Sequence, residues 1–303
     1  EHGLSVVSAN KDLVALYGPD IIHKAIENHV NFSCEASVGG GIPILMPLHQ
    51  SLAANQIESI VGILNGTTNY ILSQMTETGV NYANALADAQ KQGFAEADPT
   101  NDVCGFDAAR KLAILSSIGF RANVTFDDVL VEGIEKIDKS DIQYAKDMGY
   151  TIKLLTVALR QENGIALNVY PAFLPDNHPL SSVKGAYNAI YVTGNIVDDV
   201  MFYGRGAGAL PTASAVMGDV ISTAQQILNG STGTGMIMTD TKRIPFYSSL
   251  KLQNSYYFRL DVDDVTGVLS QIASAFAENG ISICEVVQKR KAKGVAELVL
   301  ITE

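Results

Sequence analysis

Leu4-Ser5-Val6-Val7-Ser8-Ala9-Asn10-Lys11 is a short apolar run that ends on small and polar residues. Such a run reads as a strand, and the residues after it read as helix. One helix is expected from about Asp12 to Tyr17 and a second from Pro19 to His29, with Ile21, Ile22, Ala25 and Ile26 on one face. Asn31-Phe32-Ser33-Cys34-Glu35-Ala36 then reads as another strand. Strand, helix and strand in this order form the repeating unit of a parallel sheet, so the stretch points to an α/β fold and looks like the tail of such a sheet.

Outward from there the texture alternates. Gly39-Gly40-Gly41 with Pro43 is a turn, and helix is expected from Ile44 to Ala54. Ile57 to Ile63 is strand-like, and Asn65-Gly66 turns the chain into a helix from Thr67 to Glu77. Further helices are expected from Tyr82 to Gln92 and from Phe106 to Phe120. From Tyr150 the pattern becomes strand-rich: Ile152 to Leu159, Ile165 to Tyr170, Tyr187 to Thr193 and Asp199 to Phe202. These suggest a mostly antiparallel sheet with helices on one face, an α+β arrangement. Pro211 to Leu228 is a helix with Ala213, Val216, Val220 and Ala224 along one stripe. Asn229 to Ser249, rich in Gly, Ser, Thr and Pro, reads as a linker. A last unit comes after it with the order βαββ: Tyr256 to Val262, Thr266 to Asn279, Ile281 to Gln288 and Gly294 to Thr302.

The chain has 303 residues, enough for two or three domains, and its 47% hydrophobic and 17% charged content is that of a globular protein. A net charge of −11 disfavours nucleic acid and anionic membranes as partners, since both attract basic surfaces. No apolar run is long enough to span a bilayer, and the first residues lack the features of a signal peptide. Cys34, Cys104 and Cys284 are far apart and odd in number, which argues against a disulfide framework or zinc site and for a reducing cytoplasm. His2, His23, His29, His49 and His178 fall in no ligand spacing.

Chemistry concentrates in Gly93-Phe94-Ala95-Glu96-Ala97-Asp98-Pro99-Thr100-Asn101-Asp102-Val103-Cys104-Gly105-Phe106-Asp107-Ala108-Ala109-Arg110-Lys111. Asp107 and Lys111 are i and i+4 and share a helix face. Asp98-Pro99 and Gly105 interrupt regular structure, placing Glu96 and Asp102 on a loop that leads into that helix. Spacing alone also fits an acidic helix start with a surface ion pair. The apolar residues around Asp107 and Lys111 count against that reading, because a buried ion pair is costly unless it is used.

The stretch resembles the substrate-binding signature of homoserine dehydrogenases. Three further segments agree in order: Ser8-Ala9-Asn10-Lys11; Glu35-Ala36-Ser37-Val38-Gly39-Gly40-Gly41-Ile42-Pro43 with Asn65-Gly66-Thr67-Thr68-Asn69-Tyr70; and Gly204-Arg205-Gly206-Ala207-Gly208 with Pro211-Thr212-Ala213. The resemblance covers residues 1 to about 228. It implies an NAD- or NADP-dependent oxidoreductase that interconverts L-aspartate 4-semialdehyde and L-homoserine. Lys111 would be the general acid and base, with Lys11 assisting at the junction of nicotinamide and substrate. Glu96 and Asp107 would bind the amino-acid end of the substrate, and Asp102 would support them. Ala9, Lys11, Gly93 and Gly208 would approach the cofactor. Glu35 with the carbonyls of Val38, Gly40 and Ile42 would form a monovalent cation site, usually for sodium; read on spacing alone, the same glycines make a tight turn.

The resemblance also implies an organisation. Residues 1–34 would be the C-terminal part of a Rossmann-type nucleotide-binding domain, and 35–203 a catalytic and dimerisation domain. Residues 204–228 would return to the first domain, 229–252 would link, and 253–303 would be part of a ferredoxin-like ACT domain, through Asp264-Val265-Thr266-Gly267-Val268-Leu269, with threonine as its ligand. A homodimer or homotetramer is expected. The glycine-rich turn that holds a pyrophosphate is not among these residues, so weak or no turnover is expected of the chain alone. Two other readings stand beside this one: a dehydrogenase of the same architecture for another amino-acid semialdehyde, and a non-catalytic amino-acid sensor.

Overall fold

A computed structural model describes residues 2–233, 244–247, 252–292 and 294–303. It divides into two compact units, Glu1–Ser249 and Leu250–Glu303. The first opens with β1 (Val6–Val7), α1 (Lys11–Glu27) and β2 (Phe32–Ser33). The two strands pair in parallel, Val6 with Phe32 and Val7 with Ser33. Helix α1 is continuous where two helices were expected. Its buried residues Val14, Ala15, Gly18 and Ile22 run as one stripe across Pro19. Burial of that stripe outweighs the one backbone hydrogen bond that proline cannot donate.

The second strand is shorter than its sequence suggests, because Glu35–Ser37 winds into a 3-10 turn closed by the Ser37 hydroxyl on the Cys34 carbonyl. The helix expected at 44–54 is mainly a π-helical turn over Pro47–Ser51, in which the Leu52 amide reaches back to the Pro47 carbonyl. Next come β3 (Ile57–Ile63), α2 (Gly66–Thr78), α3 (Tyr82–Lys91), α4 (Thr100–Val103) and α5 (Phe106–Gly119). Short α4 corrects the expectation that Asp102 lies on a loop: it sits inside this helical turn. The next elements, β4 (Leu130–Val131) and α6 (Lys139–Asp147), had no periodic apolar signal to announce them. A capping box between Asp138 and Asp141 starts α6.

The remaining strands of this unit are β5 (Tyr150–Gln161), β6 (Gly164–Pro175), β7 (Tyr187–Gly194) and β8 (Asp198–Arg205), followed by α7 (Ala209–Leu228). The sheet has six strands in the order β4-β6-β5-β3-β7-β8. Its pairings are antiparallel except β4 with β6, so the expected mostly antiparallel sheet is present. Strand alternation divides the apolar residues. Ile190 and Val192 of β7 enter the main core with α5, whereas Ala189 joins a second cluster with Leu155, Val157 and Leu174. Helix α7 runs back to the small parallel sheet, where the Asp219 carboxylate accepts the Glu35 amide and the Gln226 side chain accepts from Asn31. Part of the expected linker is ordered against the sheet: Phe246 bridges Ile165. Residues 234–243 and 248–251 of that linker lie outside the described residues.

The second unit contains β9 (Tyr257–Asp263), α8 (Val268–Glu278), β10 (Ile283–Ala292) and β11 (Val295–Thr302). Its sheet is antiparallel, in the order β10-β11-β9. No helix among the described residues is long and apolar enough to cross a membrane.

Candidate active site

The site is built on the start of α5. Gly105 precedes it with a φ of 84°, a conformation suited to glycine, and a Cβ there would press on Val131 and Val169. The bend ends α4 and lets α5 begin just before Asp107. Asp107 therefore sits in a first helical turn, where free amides favour an anion. Lys111 lies one turn further on the same face.

Asp107 is only 4% exposed. Its two oxygens receive three donors from three elements. Lys111 Nζ donates to Oδ2 at 2.7 Å and to the Leu64 carbonyl at 2.8 Å. Lys11 Nζ, from the first residue of α1, lies 2.9 Å from Oδ1. Asn65 Nδ2 donates to Oδ2 at 2.9 Å and to Asp102 Oδ1 at 2.6 Å. Burial pushes the Asp107 carboxyl up, but the ammonium groups of Lys111 and Lys11 outweigh it and hold the group well below the usual carboxylate range. Lys11 responds in kind: partial burial lowers it, the Asp107 charge more than compensates, and it is raised. Asp102 goes the other way, pushed up by burial and the Asp107 charge against the Asn65 hydrogen bond. The two lysines differ in access, with the side chain of Lys11 37% exposed and that of Lys111 12%.

A second ion pair docks the same two helices. Arg110 Nε lies 3.2 Å from Asp12 Oδ1, with its guanidinium 5.2 Å from the Phe126 ring centre. Lys11–Asp107 and Asp12–Arg110 thus run with opposite polarity between the first turns of α1 and α5.

Of the residues singled out from sequence, Lys11, Asp102, Asp107 and Lys111 come together. Glu96 does not touch them: it is exposed, and among the described residues its main-chain carbonyl alone is engaged, by Gln90. Its loop is nevertheless tied to α2 next to the cluster. Thr67 donates to the Phe94 carbonyl at 2.6 Å, and the Tyr70 and Phe94 rings pack 4.6 Å apart. Ala9 and Gly93 are exposed, and Gly208 precedes α7 with a φ of 116°. Asn65 was missed as a site residue. Its signal in sequence was that of a helix cap, and its oxygen does cap α2 by accepting the Thr68 amide at 2.8 Å.

The glycine turn has a distinct chemistry. The Glu35 carboxylate accepts from the amides of Ile44, Leu45 and Met46. It is therefore bound to the main chain just beyond the turn. The carbonyls of Val38, Gly40 and Ile42 accept no hydrogen bond from the described residues, although all three residues are buried. Buried carbonyls without donors suit a hard cation. Gly40, with a φ of 56°, brings this turn against the 204–208 loop so closely that a Cβ would lie 2.5 Å from the Gly206 backbone.

Comparison with known proteins bears on the family. The family model described as homoserine dehydrogenase matches residues 43–221. The chain is 43% identical over 300 residues to the homoserine dehydrogenase of Bacillus subtilis, covering 98% of this chain and 69% of that protein. Among solved structures, it is similar to a homoserine dehydrogenase from Thiobacillus denitrificans, with a TM-score of 0.93, 40% identity and coverage of 99% of this chain and 69% of that one. It is also similar to a hyperthermophilic archaeal homoserine dehydrogenase in complex with NADPH, with a TM-score of 0.63, 28% identity and coverage of 74% of this chain and 65% of the other. Ordered motifs, fold and relatives together place the chain in the homoserine dehydrogenase family of oxidoreductases.

Proposed function

We propose that this protein interconverts L-aspartate 4-semialdehyde and L-homoserine with NADP or NAD, and that Lys111 moves the proton. One observation carries the residue assignment: a largely buried lysine held between the Asp107 carboxylate and the Leu64 carbonyl. An ammonium has three protons to donate, and here two are committed. The third is available to the substrate carbonyl oxygen. In the reducing direction Lys111 gives this proton to the oxygen as the carbonyl carbon is reduced; in reverse it takes the hydroxyl proton. The resulting neutral amine stays in place through the same two contacts. Asp107 remains ionised throughout, which keeps Lys111 oriented.

When bound, the dinucleotide supplies or accepts the hydride. Ala9 and Lys11, at the carboxyl end of β1, together with Gly93 and Gly208, hold it; the exposure of Ala9 and Gly93 and the glycine at the start of α7 fit that role. The NADPH complex of the archaeal relative supports the cofactor class. Lys11 adds a second positive charge beside the reacting oxygen. Glu96, exposed on its loop, takes the substrate ammonium with Asp107, whose Oδ1 carries one donor, Lys11, among the described residues, and Asp102 supports them. The carbonyls of Val38, Gly40 and Ile42, with Glu35, hold a monovalent cation, sodium by the family resemblance, which ties the glycine turn into the site.

The same reading assigns 1–34 with 204–228 to a Rossmann-type domain, 35–203 to substrate binding and dimerisation, 229–252 to a linker, and 253–303 to an ACT unit that binds threonine. The assembly is a homodimer or homotetramer through the outer sheet face, where Met201 and Tyr203 are exposed, and the enzyme works in the cytoplasm in amino-acid biosynthesis. The direct test is to follow reduction of NAD and NADP by the complete enzyme in the presence of L-homoserine and of other hydroxyl amino acids. Turnover selective for homoserine supports the proposal. Preference for another amino alcohol would overturn the substrate assignment.

A further inference from the structure

We infer that Asn65 is a positioning residue for the proton-transfer pair, holding two facing carboxylates apart so that Asp107 Oδ2 stays available to Lys111. The inference rests on the assignment of Lys111 as acid and base. Asn65 is 4% exposed and uses both ends of its side chain. Its oxygen accepts the Thr68 amide at 2.8 Å and the Thr68 hydroxyl at 3.0 Å. This cap fixes which way the amide points. The nitrogen is thereby aimed between Asp102 Oδ1 at 2.6 Å and Asp107 Oδ2 at 2.9 Å, one proton to each.

Without those two protons, Asp102 of α4 and Asp107 of α5 would face each other across the same space. Two close carboxylates of this kind share a proton. A proton on Asp102 would then compete with Lys111 for Asp107 Oδ2, the oxygen that both Asn65 and Lys111 now use. The charged groups facing Asp102 are Asp107 and Lys111 from α5 and Lys11 from α1. Asn65 places no net charge among them, so it separates the acids without neutralising either.

The test is Asn65→Ser in the enzyme, assayed well below its melting transition. Serine still caps a helix but cannot reach both carboxylates. The expected result is a fall in kcat of about tenfold or more with a smaller change in KM, and an acid limb of the kcat profile raised by about one pH unit. A purely structural role would lower the melting temperature and leave the pH profile where it was. Unchanged kcat and an unmoved acid limb in the folded variant overturn the inference. Should Asn65→Ser fail to fold, the pair Asn65→Ser with Asp102→Asn removes the carboxylate that lost its donor. It is expected to fold and to return the acid limb to its wild-type position; an acid limb that stays raised in that folded variant overturns the inference. Lys111→Ala is measured alongside. If that variant stays active, the assignment of Lys111 has failed; if it is inactive while Asn65→Ser is not, only the inference has.

Discussion

Replacing Asp107 by Asn keeps the size and shape of the side chain and removes its charge. In the native site that charge faces Lys111, whose side chain is 12% exposed, and Lys11, whose side chain is 37% exposed. Removing one partner of a buried pair costs about 3–5 kcal/mol, and we take the low end for Lys111 because its Leu64 contact persists. Solvent screening limits the Lys11 contribution to about 1 kcal/mol or less. The sum, about 3–4 kcal/mol, corresponds to a drop in melting temperature on the order of 10 °C. The pH dependence is set by sign. Asp107 is held below its unfolded value, so its contribution is full above about pH 4–5 and is lost as pH falls toward its folded value. Lys11 is raised, so its share is full below its unfolded value and is lost only as strongly alkaline pH passes the folded one. Urea denaturation of both proteins from pH 3 to 9 should show a gap that is flat above about pH 5 and shrinks below about pH 4. A gap under about 1 kcal/mol at pH 7, or one that widens in acid, refutes the reasoning.

Two further outcomes concern residues outside the proton-transfer pair. Lys153 is buried in β5, bonded to the Asn69 side chain and the Val183 carbonyl, and pushed down to about 8 by burial and by Lys184, against a smaller opposing effect of Glu77. A lysine lowered in the fold adds stability as pH rises from its folded to its unfolded value, so about 3 kcal/mol should appear between about pH 8 and 10.5 and vanish in Lys153→Met, read by denaturation across that range. Gly40→Ala places a methyl against the Gly206 backbone at a positive φ, and should cost several kcal/mol and most of the activity, read by melting temperature and turnover.

Much of this was legible in sequence where one physical signal dominates. The strands β5, β7 and β8 announced themselves through apolar runs, and the Asp107–Lys111 contact through its i, i+4 spacing on one helix, whereas the roles given to the two residues came from the family resemblance. Where two signals compete, the sequence misleads. Pro19 suggests a break that the buried stripe Val14, Ala15, Gly18 and Ile22 overrides. The Asp98-Pro99 pair suggests a loop at Asp102, yet Asp98 accepts from the Thr100 amide and hydroxyl and so starts the turn of α4. Asn65 is the instructive miss. Its capping role is local and readable, but its nitrogen acts on residues 37 and 42 positions away, which the packing of α4 on α2 and of α5 on β3 brings near. Glu96 shows the reverse: a carboxylate within a dense acidic stretch that the fold leaves apart from its neighbours, on a loop beside them.

The central claim is that Lys111 transfers the proton, and its most direct test is kcat for homoserine oxidation in Lys111→Ala. Asp107 retains Lys11 and Asn65 as donors in this variant, so the fold should persist and the melting temperature should fall only modestly. The account predicts a loss in kcat of about a hundredfold or more, as removal of a general acid and base requires. A folded Lys111→Ala enzyme that turns over within about tenfold of the wild type would contradict it.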